Sequence, residues 1–250
     1  MAQLTFLGTA NAFNSGGRGH SAYWIEDALG VYTVDFGPTA LMACKRLKLD
    51  LERLDGVLIT HFHGDHIAGL TMLLLTLQFQ YARKRPLVIA GPPGTQVRVS
   101  MLIGSTFPTL IGKAPIEWVE WPVPGCMTVL GRTVQTIRAK HDSLGVAASL
   151  RISTPELELA FSGDTGWQQS LPELVRGVDL FVCECSNVFA SYPEHLSVDE
   201  LVAFRDQLEV GQLFVSHLSM EARAAARDAP RLRAVVPEDG DVVEITRCDD

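Results

Sequence analysis

The chain has 250 residues, 47% apolar and 20% charged, and its 21 basic and 29 acidic side chains leave a formal net charge of −8. This composition excludes disordered, collagen-like and coiled-coil chains, and the length suits one large domain, 1–250. The acidic balance argues against broad, non-specific nucleic-acid binding.

Short β-like runs open the chain at Leu4–Gly8, Ala22–Glu26 and Val31–Phe36. Pro38 starts a helix-like stretch to about Leu49. Gly56–Thr60 reads as a buried strand that stops at the polar turn His61–His66. The apolar pattern then predicts a helix from about Asp65 to Arg83. That helix is apolar nearly all round (Leu70, Met72, Leu73, Leu74, Leu75, Leu77, Phe79), which suits a core helix or the interface of a homodimer.

Leu87–Ala90 reads as a strand and Gly91–Gly94 as a turn into a helix. Four strands are expected next, at Ile116–Trp121, Thr128–Ala139, Gly145–Ile152 and Leu157–Ser162. Helix and strand then alternate through Trp167–Val175, Val178–Cys185, Val198–Gln207, Gln212–Ser216 and Glu221–Ala229. Val242–Thr246 is expected as an edge strand. Two β-rich layers with helices outside make an α/β fold, an αββα sandwich.

Five cysteines (Cys44, Cys126, Cys183, Cys185, Cys248) are an odd number in a long chain and do not form a disulfide framework. Met1–Phe6 has no basic n-region, and Ile67–Leu77 is about half the ~20 residues a membrane span needs. A reduced, cytoplasmic protein without membrane contact is expected.

Seven histidines are present, and three fall in the string Thr60-His-Phe-His-Gly-Asp-His66. Chance produces such an H-x-H-x-D-H string in only ~3 of 10,000 chains of this composition, so the string counts as a motif. After a strand, His61 and His63 point the same way and can grip one ion. Asp65 and His66, at the turn and first helical residues, can face a second. Imidazole with carboxylate suits zinc, and also iron or manganese.

Further donors are expected at strand ends on the same rim: His141 after Arg138-Ala-Lys, Asp164 in Phe161-Ser-Gly-Asp-Thr165, where a carboxylate can bridge two ions, and His217 in Phe214-Val-Ser-His. Each alone could instead be a capping or core residue. His195 precedes a helix that Ser197 could cap, so a surface or capping role is its alternative. Glu184, between Cys183 and Cys185 on an apolar strand, needs a partner such as a histidine. His20 reads as a loop residue.

With these residues in place, the chain resembles the metallo-β-lactamase fold superfamily, and within it the ribonuclease Z branch. The resemblance rests on the Thr60–His66 string, Ser162–Thr165, His141, Phe6-Leu-Gly-Thr9, Gly69-Leu70 through Ile89–Gly94, Val182–Cys185, Glu194–Ser197 and Leu213–Ser219, and it spans nearly the whole chain. It implies that His61, His63 and His141 hold one zinc, that Asp65, His66 and His217 hold the second, and that Asp164 bridges. It also implies that His195 assists the leaving group and Glu184 supports it. Two departures stand out. Ribonuclease Z enzymes carry a long Gly/Pro-rich arm that grips transfer RNA between the residues matching His141 and Asp164, where this chain has only 22 residues. The family's His-Ser-Thr also reads His-Leu-Ser here.

The first functional expectation is therefore a metal-dependent hydrolase with two Zn2+ (or Mn2+ or Fe), a phosphodiesterase on a small or nucleotide-like substrate. Asp65 is expected to orient the attacking hydroxide, and a His195–Glu184 pair to protonate the leaving alkoxide. The alternatives are a lactonase or other ester/amide hydrolase, a ribonuclease Z-type endonuclease with nucleic acid as partner, and a non-catalytic metal-binding pathway-accessory protein.

Overall fold

Apolar, β-rich segments separated by glycine- and aspartate-containing turns pair into two sheets in the computed structural model, which describes residues 2–141 and 146–247. The first half runs β1 Ala2–Gly8, β2 Ala22–Asp27, β3 Gly30–Val34, α1 Ala40–Arg46, β4 Leu54–Leu58, α2 Gly64–Ile67, α3 Leu70–Leu75, β5 Leu87–Gly91, α4 Thr95–Thr106 and β6 Ile116–Glu120. The second runs β7 Gly125–Val129, β8 Arg132–Arg138, β9 Ala148–Ser153, β10 Glu158–Phe161, α5 Ser170–Val175, β11 Val178–Glu184, α6 Val198–Phe204, β12 Val210–Ser216, α7 Met220–Arg227 and β13 Val242–Ile245.

One sheet has seven strands in the order β13-β1-β2-β3-β4-β5-β6, the other six in the order β12-β11-β10-β9-β8-β7. This is the αββα sandwich. Between the sheets, Phe6 and Tyr23 of the first meet Phe214 and Phe161 of the second, with ring centroids 5.4 and 5.5 Å apart. Each ring is buried, and removing one to alanine would cost roughly 3–5 kcal/mol. A second apolar layer packs α1, α3 and α4 on the outer face of the seven-stranded sheet, and a third packs α5, α6 and α7 on the other. Cys183 and Cys185 lie in that third layer, where burial pushes their thiols up.

The parallel pairs β3–β4, β10–β11 and β11–β12 point their carboxyl ends to one rim. Such a rim is where open α/β sheets place their functional loops. The sheets also touch there directly, because the Ala148 N–H donates to Thr60 O at 3.0 Å. Gly163 makes this approach feasible. Its φ is +57°, and a Cβ on it would stand 2.9 Å from both Ala148 O and Thr60 Cβ.

Two expectations are corrected. The single helix from Asp65 to Arg83 is divided at Gly69 and ends at Gln80 with a wider turn over Thr76–Gln80. Gly69 turns its N–H away from the helical ladder to donate to Phe36 O at 3.1 Å. Only glycine allows that approach, since a Cβ would meet Gly37 O at 2.2 Å. Leu70, Leu73, Leu74 and Leu77 are buried, while Met72 and Phe79 are exposed.

The run Thr128–Ala139 is the second correction. It is a hairpin, β7 and β8, joined at Leu130-Gly131 with both residues at positive φ, the turn geometry that matches strand twist. Val242–Ile245 is an edge strand on β1. Gly145, the expected start of the strand here assigned Ala148–Ser153, and Cys248 lie outside the described residues. Among the described residues, no helix is long and apolar enough to cross a membrane.

Candidate metal centre

Segments at the ends of strands deliver polar side chains to the rim. The loop after β4 supplies His61 and His63, and α2 supplies Asp65 and His66. His141 follows β8, Asp164 follows β10, Glu184 ends β11 and His217 follows β12. His217 has φ +56°, as does Asp35 after β3. Strained backbone of this kind persists where the surroundings enforce a side-chain direction.

Two groups form. His61, His63, His141 and Asp164 place ligand atoms within 4.8 Å of one another, and so do Asp65, His66, Asp164 and His217. Asp164 is the member common to both. Its Oδ2 is 3.7 Å from His61 Nε2 and 3.4 Å from His217 Nε2, and its Oδ1 is 3.3 Å from His66 Nε2. Glu184, His195 and His217 form a third group.

The hydrogen bonds behind the imidazoles fix which nitrogen faces inward. His61 Nδ1–H donates to Thr60 Oγ1 at 3.1 Å, and His66 Nδ1–H donates to Asp35 Oδ2 at 2.7 Å. His141 Nδ1–H donates to Glu194 O at 3.1 Å, and His217 Nδ1–H donates to Ser186 Oγ at 2.7 Å. Each ring is thus left with Nε2 as a lone pair aimed at the shared space. His61 Nε2, His66 Nε2 and Asp164 Oδ1 are buried with no hydrogen-bond partner. His141 Nε2 faces His63 Nδ1 at 3.0 Å. Buried lone pairs converging on carboxylates are the donor set of a divalent cation, with the outer hydrogen bonds that orient metal-binding histidines. The residues present therefore fit a divalent-metal site.

Charge is shared unevenly among the rings: against their burial, the neighbouring carboxylates raise the His66 and His217 imidazoles above the ordinary value. Burial and the neighbouring His66 push the His61 imidazole well below its ordinary value, toward the neutral ligand form. Burial disfavours charge on Asp164, but the histidines His217, His66 and His61 outweigh it and keep the carboxyl well below the usual range. Asp65 is held low in the same way by His66 and His217 against its own burial.

His195 stands beside this space in neither His/Asp group. Its Nδ1–H donates to Glu184 Oε1 at 2.8 Å. Burial lowers its pKa, but the hydrogen bond and charge of Glu184 more than compensate, raising it to about 9. Glu184 also accepts from the Thr165 N–H at 2.9 Å and from Ser186 Oγ–H at 3.1 Å. Through Ser186 the same carboxylate is joined to His217. The capping in this segment belongs to Ser197, which forms a reciprocal pair with Glu200 at the start of α6. His20 lies in the loop after β1, buried, with Nδ1 3.2 Å from Asn14 Nδ2.

All nine side chains singled out in the sequence meet at this rim. Three others were missed: Asp35, Thr60 and Ser186. Asp35 follows the apolar run Val31–Val34, and a lone acid at the end of a buried strand was the available signal.

The site opens into a cleft of about 710 Å³ lined by His63, Asp65, His141, Asp164, His195 and His217 on the inner side. Among the described residues none that line it is lysine or arginine, and Glu194 and Glu221 are part of the lining.

A family model described as Anti-Pycsar protein Apyc1 matches residues 2–235. The chain is 27% identical over 241 residues to a ribonuclease Z of Mycobacterium bovis, an alignment covering 87% of this chain and 86% of the relative. The metallo-beta-lactamase fold protein YhfI from Bacillus subtilis superposes with a TM-score of 0.80 at 20% identity, covering 98% of this chain and all of YhfI. A diphosphatase of the PhnP family superposes with a TM-score of 0.80 at 16% identity, over the whole of both chains. The chain thus has the metallo-β-lactamase fold and is ribonuclease Z-like in sequence.

Proposed function

The chain belongs to the Anti-Pycsar protein Apyc1 family, and from that premise and the geometry of the rim we propose a metal-dependent phosphodiesterase acting on a small or nucleotide-like substrate. The observation that carries this reading is His195, held at Nδ1 by Glu184 at 2.8 Å on the wall of the cleft. An alkoxide leaving phosphorus needs a proton, whereas an activated ester does not.

In this reading His61, His63 and His141 hold one ion, Asp65, His66 and His217 the second, and Asp164 lies between them. Zinc suits the donor set, and manganese or iron is compatible with it. Two divalent ions there would supply Lewis-acid charge and an acidified water.

The chain's own side chains do the rest. Asp65, kept anionic, accepts from the water and orients it. Glu184 fixes the His195 tautomer, so that its transferable proton sits at Nε2 and passes to the departing oxygen. The outer partners Asp35, Thr60, Glu194 O and Ser186 stop the ligand rings from turning. The lining without lysine or arginine supports a substrate with a single phosphodiester charge, since a polynucleotide backbone calls for several cations.

The named ribonuclease Z relatives favour a second reading, cleavage of RNA, and the same absence of basic lining weighs against it. Turnover by metal-loaded protein is the test, on bis-p-nitrophenyl phosphate, cyclic nucleotides, lactones and precursor tRNA. Phosphodiesters with alkoxide leaving groups are expected to react. Turnover of lactones alone would overturn the reading.

A further inference from the structure

Residues 9–20 leave β1, and Asn11, Ala12, Phe13 and Ser15 among them form part of the cleft lining. The outgoing limb of this loop is anchored beside the ligand His217. Leu218 N–H donates to Thr9 O at 3.1 Å, and Asn11 N–H donates to Leu218 O at 3.3 Å. The returning limb is held by two acids more than 200 residues away in the chain. Arg18 Nε–H donates to Glu238 Oε2 at 2.8 Å, with Nη2 also 2.8 Å from that oxygen. Gly19 N–H donates to Asp239 Oδ2 at 2.6 Å.

Both acids sit on a turn that is itself fixed. Gly240 N–H donates to Phe6 O at 2.7 Å, and Phe6 N–H donates to Asp241 O at 3.0 Å. Glu238 N–H donates to Asp241 Oδ2 at 2.8 Å. From α7, Arg227 donates to Glu238 Oε1, and Arg223 Nη1 lies 3.7 Å from the same oxygen. Asp239 Oδ1 accepts from the Thr9 hydroxyl at 2.8 Å, and that hydroxyl accepts from Arg223 Nη2–H at 2.6 Å. Asp239 thus grips the loop at both of its ends, Thr9 and Gly19.

A lone exposed ion pair contributes little. Here one carboxylate gathers three guanidiniums, and the Arg223 side chain is only 6% exposed. The hydrogen bond from Arg18 holds the Glu238 carboxyl below its usual value, so the bonds it accepts are charge-assisted. Both acids lie beyond residues 2–235, the stretch that the family model matches, so the family likeness does not account for them.

We propose that Glu238 and Asp239 are positioning residues for substrate binding, an ionic clip in the C-terminal segment that holds the returning limb of the 9–20 loop and so keeps one wall of the cleft preformed. The proposal rests on the phosphodiesterase reading for its substrate alone. With the clip closed, Asn11 to Ser15 stand in place before the substrate arrives. With it broken, ordering them is charged to the binding step. The base of the loop stays pinned to Leu218, so the ligand His217 and the metal keep their places. The clip therefore sets KM and leaves the chemical step alone.

Glu238→Gln keeps the side-chain shape and removes the charge. In metal-loaded Glu238→Gln protein, KM for bis-p-nitrophenyl phosphate is expected to rise about tenfold, the lower end for a lost hydrogen bond to a charged group, with kcat and metal content unchanged. Arg18→Met should act in the same direction, and the double variant should lose little more than Glu238→Gln alone. Amide hydrogen exchange follows the loop without turnover: residues 10–19 should lose protection in Glu238→Gln while β11 and β12 keep theirs. Parent values of both KM and loop exchange overturn the clip. A fall in kcat or metal content, or protection lost through β11 and β12 as well, also overturns it, because the acids would then serve the rim or the whole fold. If the parent turns over no phosphodiester, the phosphodiesterase reading fails. Loss of protection confined to the loop then still upholds the clip, and unchanged protection overturns it.

Discussion

Asp35 Oδ2 accepts a hydrogen bond from His66 Nδ1 at 2.7 Å across 31 residues of sequence. The same carboxylate accepts from the Thr60 N–H at 2.8 Å and the Thr60 hydroxyl at 2.8 Å, and Thr60 in turn accepts from His61. One buried acid thereby orients a ring in each of the two His/Asp groups. Asp35→Asn keeps the side-chain shape and tolerates the positive φ, but it replaces one anionic acceptor with an amide. Metal affinity is expected to fall about 10- to 100-fold, the usual effect of removing an outer partner. Competition with a chromogenic chelator measures it, and unchanged affinity would remove Asp35 from the account.

Reconstituted protein should carry two divalent ions per chain. Elemental analysis of His61→Ala and Asp164→Asn should show a lower content, with Asp164→Asn affecting both positions because its oxygens face both groups. A parent protein that holds one ion or none after reconstitution would contradict the two-ion reading.

His195→Ala should retain its metal and lose ~10²–10⁴ in rate, the size of general acid assistance. The loss should be largest for alkyl or ribose leaving groups and shrink for p-nitrophenyl esters. Glu184→Gln should show a weaker form of the same pattern. Equal slowing of good and poor leaving groups would assign His195 to another role.

A pH profile follows from the same pair. Glu184 raises His195 to about 9 against the lowering effect of burial, so His195 is protonated below that pH and loses its proton as pH rises through it. On a substrate with a poor leaving group, kcat/KM should decline across that range. In Glu184→Gln burial is opposed only by the weaker pull of Asp164, and the decline should move to lower pH. An alkaline limb that stays in place in the variant would sever the link.

Precursor tRNA should be a poor substrate at physiological salt. The cleft presents no lysine or arginine, and only 22 residues separate His141 from Asp164. Efficient 3′-end cleavage would reverse this expectation.

The rim was readable from the sequence because its chemistry is local. His61, His63, Asp65 and His66 sit at fixed offsets after a strand, and His141, Asp164 and His217 each close an apolar run. The sandwich was readable because strand and helix runs alternate along the chain. Asp35 and Ser186 were not, because their role depends on contacts across 31 residues to His66 and to His217. Apolar periodicity likewise continued past Gly69, where the break comes from a backbone hydrogen bond to Phe36 O on a distant loop. The hairpin at Leu130-Gly131 escaped for a different reason: leucine is an unusual residue for a positive-φ turn position.

The direct contact between Thr60 and Ala148 joins the two halves of the chain at the edge where His61 and His63 come from one sheet and His141 and Asp164 from the other. An ion gripped by that group is a rivet between layers as well as a reagent. At about 100 times its Kd, a ligand bound only by the native state adds about 2.7 kcal/mol to stability. Loading should therefore couple the two layers' unfolding, and a chelator that strips the rim is expected to loosen the seam between them before it touches the aromatic packing at their centre.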